Sequence, residues 1–569
     1  MISLKRSLYW IAGVLLLAGC SPVSRHEPRY DLLISGGTVV DGTGAPGIRA
    51  DVGVKGKTIV AVGHLSRAEA TSVIDASGLV VAPGVIDIHS HSDYSLLVDG
   101  NAESKVRQGV TTEIIGEATS AGPFLADETD HGRIESSPFG VIIDWNTLGE
   151  YFERLLTKGI SVNIGSYVGS RTVRRYVMGD TNRPATVGEI ERMAGVVEEA
   201  MFDGALGVSS ALLGSSLTTE ELIAMARAAA RSGGIYSTHI RDEGDRIFES
   251  LEEAFLIGRE AGAPVDVLHL KIADRKLWGR MDEVMAEFEH ARAEGLQATA
   301  NMYPYIAGQN NLASLVPPYG WDGGREAMLE RLRDPAQRAR FRETLYAGGL
   351  PDWYNHYTAS AGWESMLIVS AKTERNRSLI GMTMDRVIAE RNTGEPTDVL
   401  YDLLLEENGS VPTIFFLMTE DDVRTAMRSP LVSFCSDGVA IKPEGVLGEG
   451  KPHPRWYGTF PRILGKYVRE EKVLPLETAI LKMTWMNAQK IGLRDRGLVQ
   501  PGMAADLFLF DPDSIVDRAT FSDPHQYSAG VEYVLVNGTV VLEKGEHTGQ
   551  RPGKILYGPG KIKGRHPGE

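Results

Sequence analysis

From Tyr30 to Ala82 the chain is a succession of short alternating apolar runs broken by glycine turns: DLLISGGTVV, ADVGVKGKTIVAVG and SVIDASGLVVAPG. A period of two bounded by glycine marks strands. The same texture returns near the far end in AADLFLFD and VEYVLVNGTVVLEKGEHTG. Two such pieces flanking a long middle predict one small sheet domain assembled from both termini, residues 30–82 and 497–569. Two unrelated caps are the alternative.

The middle, 83–496, alternates short apolar strands with amphipathic helical patterns, which implies βαβ units and a parallel sheet. Strands are predicted near Val85–His91, Val110–Glu117, Ile160–Tyr167, Ala205–Ser210, Ile235–Ile240, Val265–Lys271, Ala298–Tyr305 and Leu431–Asp437. Eight units favour a closed (β/α)8 TIM-type barrel over an open doubly wound sheet, and no Gly-rich dinucleotide fingerprint follows the first strand. Between the seventh and eighth strands, 313–411 is far longer than one helical crossover and carries its own helical patterns. An insertion of that size before the last barrel strand is expected to form a lid or to shape a substrate pocket.

The N-terminus follows a different pattern. Lys5 and Arg6 precede a short apolar run, Leu8 to Gly19, too short to span a bilayer as a helix. This reads as a secretory signal, residues 1–19, and its end, Leu17-Ala18-Gly19-Cys20, resembles the lipobox of bacterial lipoproteins. Cys20 then carries the lipid and 20–29 is a tether, so the only membrane contact expected is a lipid anchor in the cell envelope, on the periplasmic side of a bacterial membrane. The alternative is an ordinary cleaved signal. Cys435 remains as the only other cysteine, which excludes an intramolecular disulfide in the mature chain. A net charge of −16 argues against nucleic acid as a partner.

Candidate chemistry gathers at the predicted strand ends. His89 and His91 close GVIDIHSH two residues apart, so both imidazoles project to one face, at a spacing that suits zinc. Asp93 follows and could orient one of them. His239 closes GGIYSTHI and His269 closes PVDVLHLK. A lone strand histidine is usually a core residue, but four at three strand ends, in a chain with 13 histidines, are not accounted for by abundance. Asp437 ends LVSFCSDG, where a carboxylate beside a metal-activated water could accept and return a proton. Cys435 lies one pleat deeper and reads as a buried spectator. Lys271, Tyr303, Tyr305 and Arg455 also point at the mouth. Around a cation they make sense as receptors of a substrate carboxylate, Arg in a bidentate manner.

Together these segments resemble the D-aminoacylase (N-acyl-D-amino-acid deacylase) family of the amidohydrolase superfamily. The resemblance rests on APGVIDIHSHSD, QGVTTEIIGE, GALGVSS, YSTHIRDEGD, VLHLK, YPY, SDG, HPRWYGTFPR and RDRGLVQPGMAADLFLFDP. It implies a barrel with a small β-sandwich, bound zinc, and small N-acyl amino acids as substrates. Position by position, it implies His89, His91, His239 and His269 as metal ligands and Asp437 as general base and acid. Lys271, Tyr303 and Arg455 would receive the α-carboxylate. One departure stands at the centre of the site. Family members carry Gly-Asn-Cys after GVTTE, the cysteine being a zinc ligand, whereas this chain has Gly116-Glu117-Ala118. Glu117 is the natural replacement, a carboxylate able to bridge two cations, and the harder donor brings manganese or a two-zinc arrangement into view. AGQNN after the Tyr-Pro-Tyr turn is a second departure, in a segment bearing on specificity.

Two other functions compete. A dipeptidase or cyclic-amide hydrolase on the same scaffold often uses a carbamylated lysine between metals, and the fourth strand ends LGVSS without one. A non-catalytic lipoprotein that binds acylated amino acids would not need Asp437 beside a full ligand set.

Overall fold

The protein is described by a computed structural model that covers residues 29–125, 138–348, 350, 353–392 and 394–561. The signal, Cys20 and most of the tether lie outside the described residues. Among those that are described, no helix is long and apolar enough to cross a membrane.

The terminal strands pair with each other. β1 (Tyr30–Val39), β2 (Ile48–Lys55), β3 (Thr58–Gly63), β4 (Ala70–Asp75) and β5 (Val80–Pro83) come from the start of the chain. They join four strands from its end in one nine-stranded sheet. The seam is antiparallel pairing of Leu507–Phe510 with β5, Leu509 opposite Val81, and the alternating inward residues Val52, Val54, Val81, Leu507 and Leu509 form its core. The structure thus builds one continuous sheet from both chain ends.

The middle begins with β6 (Val85–Asp87), β7 (Val110–Ile115) and β8 (Asn163–Ser166), paired in parallel. After Tyr167 the same segment continues as β9 (Val168–Gly169). It pairs with β10 (Gly207–Ala211), followed by β11 (Ile235–His239), β12 (Val265–Val267) and β13 (Ala298–Met302), again all parallel. The last barrel strand, Val432–Phe434, lies beside β13. It is tied to the first strand by main-chain bonds just beyond both: the Asp437 amide donates to the His89 carbonyl (2.9 Å) and the His91 amide to that of Gly438 (3.0 Å). Intervening helices cover the outside. Those at Leu148–Lys158, Val187–Asp203 and Thr219–Arg231 each start with a Thr…Glu capping box that satisfies exposed amides.

The inserted unit is wider than the pattern predicts. It opens with β14 (Ala307–Asn311) and closes with Pro412–Phe416, antiparallel partners, with Met366–Ile368 on the other side of the latter. AGQNN has no apolar alternation, and its strand is imposed by a partner about a hundred residues away, so the local sequence could not show it. The unit has its own apolar core, including Leu312, Val316, Phe341 and Leu400.

The strands also stop earlier than predicted. β6 ends at Asp87, β12 at Val267 and β13 at Met302, so most of the chemistry-bearing residues stand on the turns just past the strands. Strict alternation does not govern them. His269 (φ 37°) and Asp437 (φ 47°) adopt left-handed backbone, a strained choice for side-chain-bearing residues that tends to occur where geometry is functional.

Candidate metal centre

A fully buried ionic layer lies beneath the mouth. Lys105 donates to Asp87 (2.6 Å), Ser436 (2.7 Å) and the Gly438 carbonyl (3.2 Å), and stands 3.3 Å from Glu113. Asp87 accepts from the Ser436 amide (2.8 Å), and Glu113 accepts from Ser90 (2.5 Å) and Ser92 (2.6 Å). These bonds fix the backbone on either side of His89, His91 and Asp437.

Above it the predicted side chains converge. Glu117 Oε2 lies 2.8 Å from His89 Nε2 and 3.1 Å from His91 Nε2, while Oε1 faces His239 Nδ1 at 3.7 Å. Asp437 Oδ1 is 3.0 Å from His91 Nε2 and 3.8 Å from His89 Nε2, and Oδ2 is 4.0 Å from His269 Nε2. Three overlapping triples each have their ligand atoms within 4.8 Å of one another: His89, His91 and Glu117; His89, His269 and Asp437; Glu117, His239 and His269. Nitrogen and carboxylate donors converging from six residues fit one or two divalent cations of the zinc or manganese type. Glu117 turns one oxygen to each side of the cluster, as a bridging ligand would.

Electrostatics points the same way. Burial opposes ionisation of Glu117, yet His89, His239 and His91 hold its carboxyl well below the usual range. Arg455 and the imidazoles do the same for Asp437. Burial pushes His91 down, but Asp437 and Glu117 outweigh it and lift the ring to about 10. Two ionised, buried acids among imidazoles are a charge arrangement that a cation can replace proton for charge.

Glu243 was not singled out from sequence, and it joins three of the groups. Its carboxylate accepts from Lys271 Nζ (2.6 Å), lies 3.1 Å from His269 Nδ1 and 3.5 Å from His239 Nε2. Carboxylates in this position fix the tautomer of metal-bound histidines. Lys271 Nζ also sits 2.7 Å from His269 Nδ1. That nitrogen can accept from Lys271 only when Nε2 carries the proton. With a cation on Nε2, Nδ1–H donates to Glu243 instead, so the two patterns exclude each other. The available signal for Glu243 was its place four residues after His239 in THIRDEGD.

Arg455 NH1 pairs with Asp437 Oδ2 at 3.0 Å, and its guanidinium lies 4.6 Å from the centre of the Tyr303 ring. Lys271 lies 5.5 Å from the same ring, and the buried Tyr303 hydroxyl has no hydrogen-bond partner among the described residues. Two cations and a hydroxyl thus surround one ring. Arg455 is held by His453, which accepts the Arg455 amide at Nδ1 (3.0 Å) and meets the Ala307 carbonyl at Nε2 (3.0 Å).

Two sequence expectations, for Asp93 and Tyr305, fall elsewhere, while Cys435 is buried as expected. Asp93 is buried, but its carboxylate makes no hydrogen bond to either imidazole, and burial raises it to about 7. Tyr305 packs against His453 and Arg462 rather than in the cluster. Cys435 lies in an apolar layer with Ile88, Ile114 and Leu206, its thiol pushed up by burial.

A parallel β/α body with converging histidine and carboxylate donors fits a metal-dependent hydrolase of amide bonds. The amidohydrolase family pattern matches residues 72–344 and 421–542, leaving out most of the inserted unit. A D-aminoacylase from Alcaligenes xylosoxydans xylosoxydans is 36% identical over 93% of this chain and 97% of its own. An N-acyl-D-aspartate deacylase from the same organism is 35% identical over 93% and 95%. The crystal structure of N-acyl-D-glutamate deacylase from Bordetella bronchiseptica, complexed with zinc and a phosphonate mimic of the tetrahedral intermediate, superposes with a TM-score of 0.77. It is 30% identical and covers 93% of this chain and 99% of its own. The chain belongs to the D-aminoacylase family of the amidohydrolase superfamily, with a TIM barrel and a small additional domain.

Proposed function

We propose that the protein hydrolyses N-acyl-D-amino acids to a D-amino acid and a carboxylate. The observation that carries this reading is the place of Asp437, between the imidazole cluster and Arg455. One group thereby borders both the reacting centre and the substrate's charged end. His89, His91, Glu117, His239 and His269 would hold zinc, one ion or two, with manganese as the alternative that a carboxylate bridge invites. The cation, when bound, lowers the pKa of water and polarises the scissile carbonyl.

Asp437 takes the proton of the attacking water and returns it to the departing nitrogen. Arg455, Lys271 and Tyr303 hold the α-carboxylate, and in doing so fix which face of the amide meets the attack. Arg455 must exchange Asp437 for the substrate carboxylate, which leaves the base unpaired when substrate is seated. Glu243 retains Lys271 and the outer nitrogens of two imidazoles. Preference for the D-configuration is supported by the relatives' activities.

The test is turnover of N-acetyl-D- and L-amino acids after defined zinc or manganese loading. The expected result is release of free amine from the D-series, lost by at least about a thousandfold in Asp437→Asn with metal retained. Near-normal turnover in that variant would falsify the scheme. Protein that binds these compounds and releases no amine would support a scavenging lipoprotein instead. Export and lipidation at Cys20 complete the reading. A mature chain extracted only by detergent, and released from it by Cys20→Ser, supports an envelope location.

A further inference from the structure

A cavity of about 1560 Å³ opens between the segments that follow the second to fifth barrel strands and the inserted unit. It exceeds the volume that a drug-sized ligand usually fills, ~300–1,000 Å³. Thr119, Arg171, Leu212 and Arg241, from the turns after the second to fifth strands, line one side, and Asn310 and His356 of the inserted unit line the other. The carboxylate receptor does not border it, since Lys271 and Tyr303 line a separate small pocket. In an eight-stranded barrel the third strand, after which Arg171 falls, stands across from the seventh, which leads to Tyr303. A substrate whose α-carboxylate is held at Tyr303 therefore directs its acyl group toward the Arg171 side.

Four arginines line this space, and three have carboxylate partners. Arg174 lies 3.4 Å from Glu221, Arg175 is 3.5 Å from Asp180, and Arg241 pairs with Glu253 at 2.8 Å. Arg171 has none among the described residues. One of its terminal nitrogens donates to the carbonyls of Ala211 (2.9 Å) and Leu213 (3.2 Å), which holds the guanidinium in place. The side chain is exposed to the cavity. Burial draws its pKa down and the Glu117 carboxylate draws it up, which places the cation within electrostatic reach of the metal centre. An oriented guanidinium without a counter-ion, in a cavity that admits ligand, matches a planar anion.

We propose that Arg171 receives a second carboxylate of the substrate, carried on the acyl group, so that the preferred substrates are D-amino acids acylated by a dicarboxylic acid. This rests on the deacylase reading. Water adds across the same amide bond, the proton goes to the nitrogen, and the products are a D-amino acid and a dicarboxylate. The chemistry at Arg171 is that of a carboxylate, which an acidic side chain on the amino-acid half could also supply.

The test compares N-acetyl-D-leucine, N-succinyl-D-leucine and N-acetyl-D-glutamate on the zinc-loaded full chain. It measures kcat/KM, and Kd by calorimetry on Asp437→Asn. N-succinyl-D-leucine is expected to exceed N-acetyl-D-leucine by about tenfold to a hundredfold in both, as one charge-assisted contact allows. Arg171→Met should bring the ratio near one, and Arg171→Lys should restore part of it. A ratio near one in the native chain, or one that survives Arg171→Met, overturns the proposal. A preference only for N-acetyl-D-glutamate, lost in Arg171→Met, keeps the anion receptor and overturns its acyl placement. Selective binding without release of amine overturns the deacylase reading and leaves Arg171 standing.

Discussion

Lys105→Met isolates the ionic layer under the metal site. The native ammonium is fully buried and has two fully buried carboxylates within 3.3 Å, Asp87 and Glu113. Burial disfavours its charge, but the two acids outweigh that and raise its pKa. Methionine preserves much of the side-chain volume, so the change chiefly deletes the cation. Two acids are then left without their counter-charge. Breaking a buried pair in this way costs about 3–5 kcal/mol, a factor of roughly 10²–10⁴ in the folding equilibrium. The double variant Lys105→Met/Glu113→Gln removes one of the stranded charges and should recover about 1–3 kcal/mol, because the two sites are in contact. Denaturant unfolding of metal-free protein, followed by tryptophan fluorescence, reads both. A cost for Lys105→Met under about 1 kcal/mol, typical of an exposed pair, would refute the account. So would a double variant less stable than the single, since Glu113 would then be stabilising without the lysine.

Glu243→Gln should weaken zinc binding by about tenfold to a hundredfold, read by chelator competition, because the carboxylate beside His269 Nδ1 and near His239 Nε2 is lost; unchanged affinity would remove Glu243 from the metal site. Arg455→Lys keeps the charge but not the fork, and is expected to raise KM more than it lowers kcat; a fall confined to kcat would place Arg455 in the chemistry rather than in carboxylate binding. His453 is held below the ordinary imidazole range, first by burial and then by Arg455. Below about pH 6.5 the unfolded chain binds a proton there that the folded chain refuses, so this contribution to stability is present above that pH and is lost as pH falls. Replacing it with glutamine should flatten the acid limb of stability by up to about 1.4 kcal/mol per pH unit; an unchanged slope would show that His453 does not titrate on unfolding.

The barrel was legible because its strands are apolar runs separated by amphipathic helices, a pattern set by burial on both faces. His89, His91, His239, His269 and Asp437 could be read as one set because each closes such a run, and the structure gathers them. Glu243 lies four residues past a strand, in a turn whose shape no period encodes, and its partners come from the end of β11 and the turn after β12. Asp93 shows the same limit in reverse. It follows His91 closely in sequence, but the strand has already ended at Asp87. β14 is polar along its length, and only its pairing with Phe416 and its neighbours makes it a strand. Arg171 sits in a helix-opening run, SRTVRRYVM, with two other arginines nearby, and nothing local separates the one without a carboxylate from those with one.

The main-chain bonds joining His89 and His91 to Asp437 and Gly438 close the barrel between residues nearly 350 positions apart. Contacts of such sequence separation form late, since a large loop must be closed before they return any free energy. The two triples that do not contain Asp437 can form earlier in folding, but the base reaches them only when the final strand docks. A cation captured at that moment stabilises the closed barrel by mass action. Metal loading would therefore act as a late lock on chain topology, and a chain cut short before Leu431 could hold much of the ligand set yet never acquire its base.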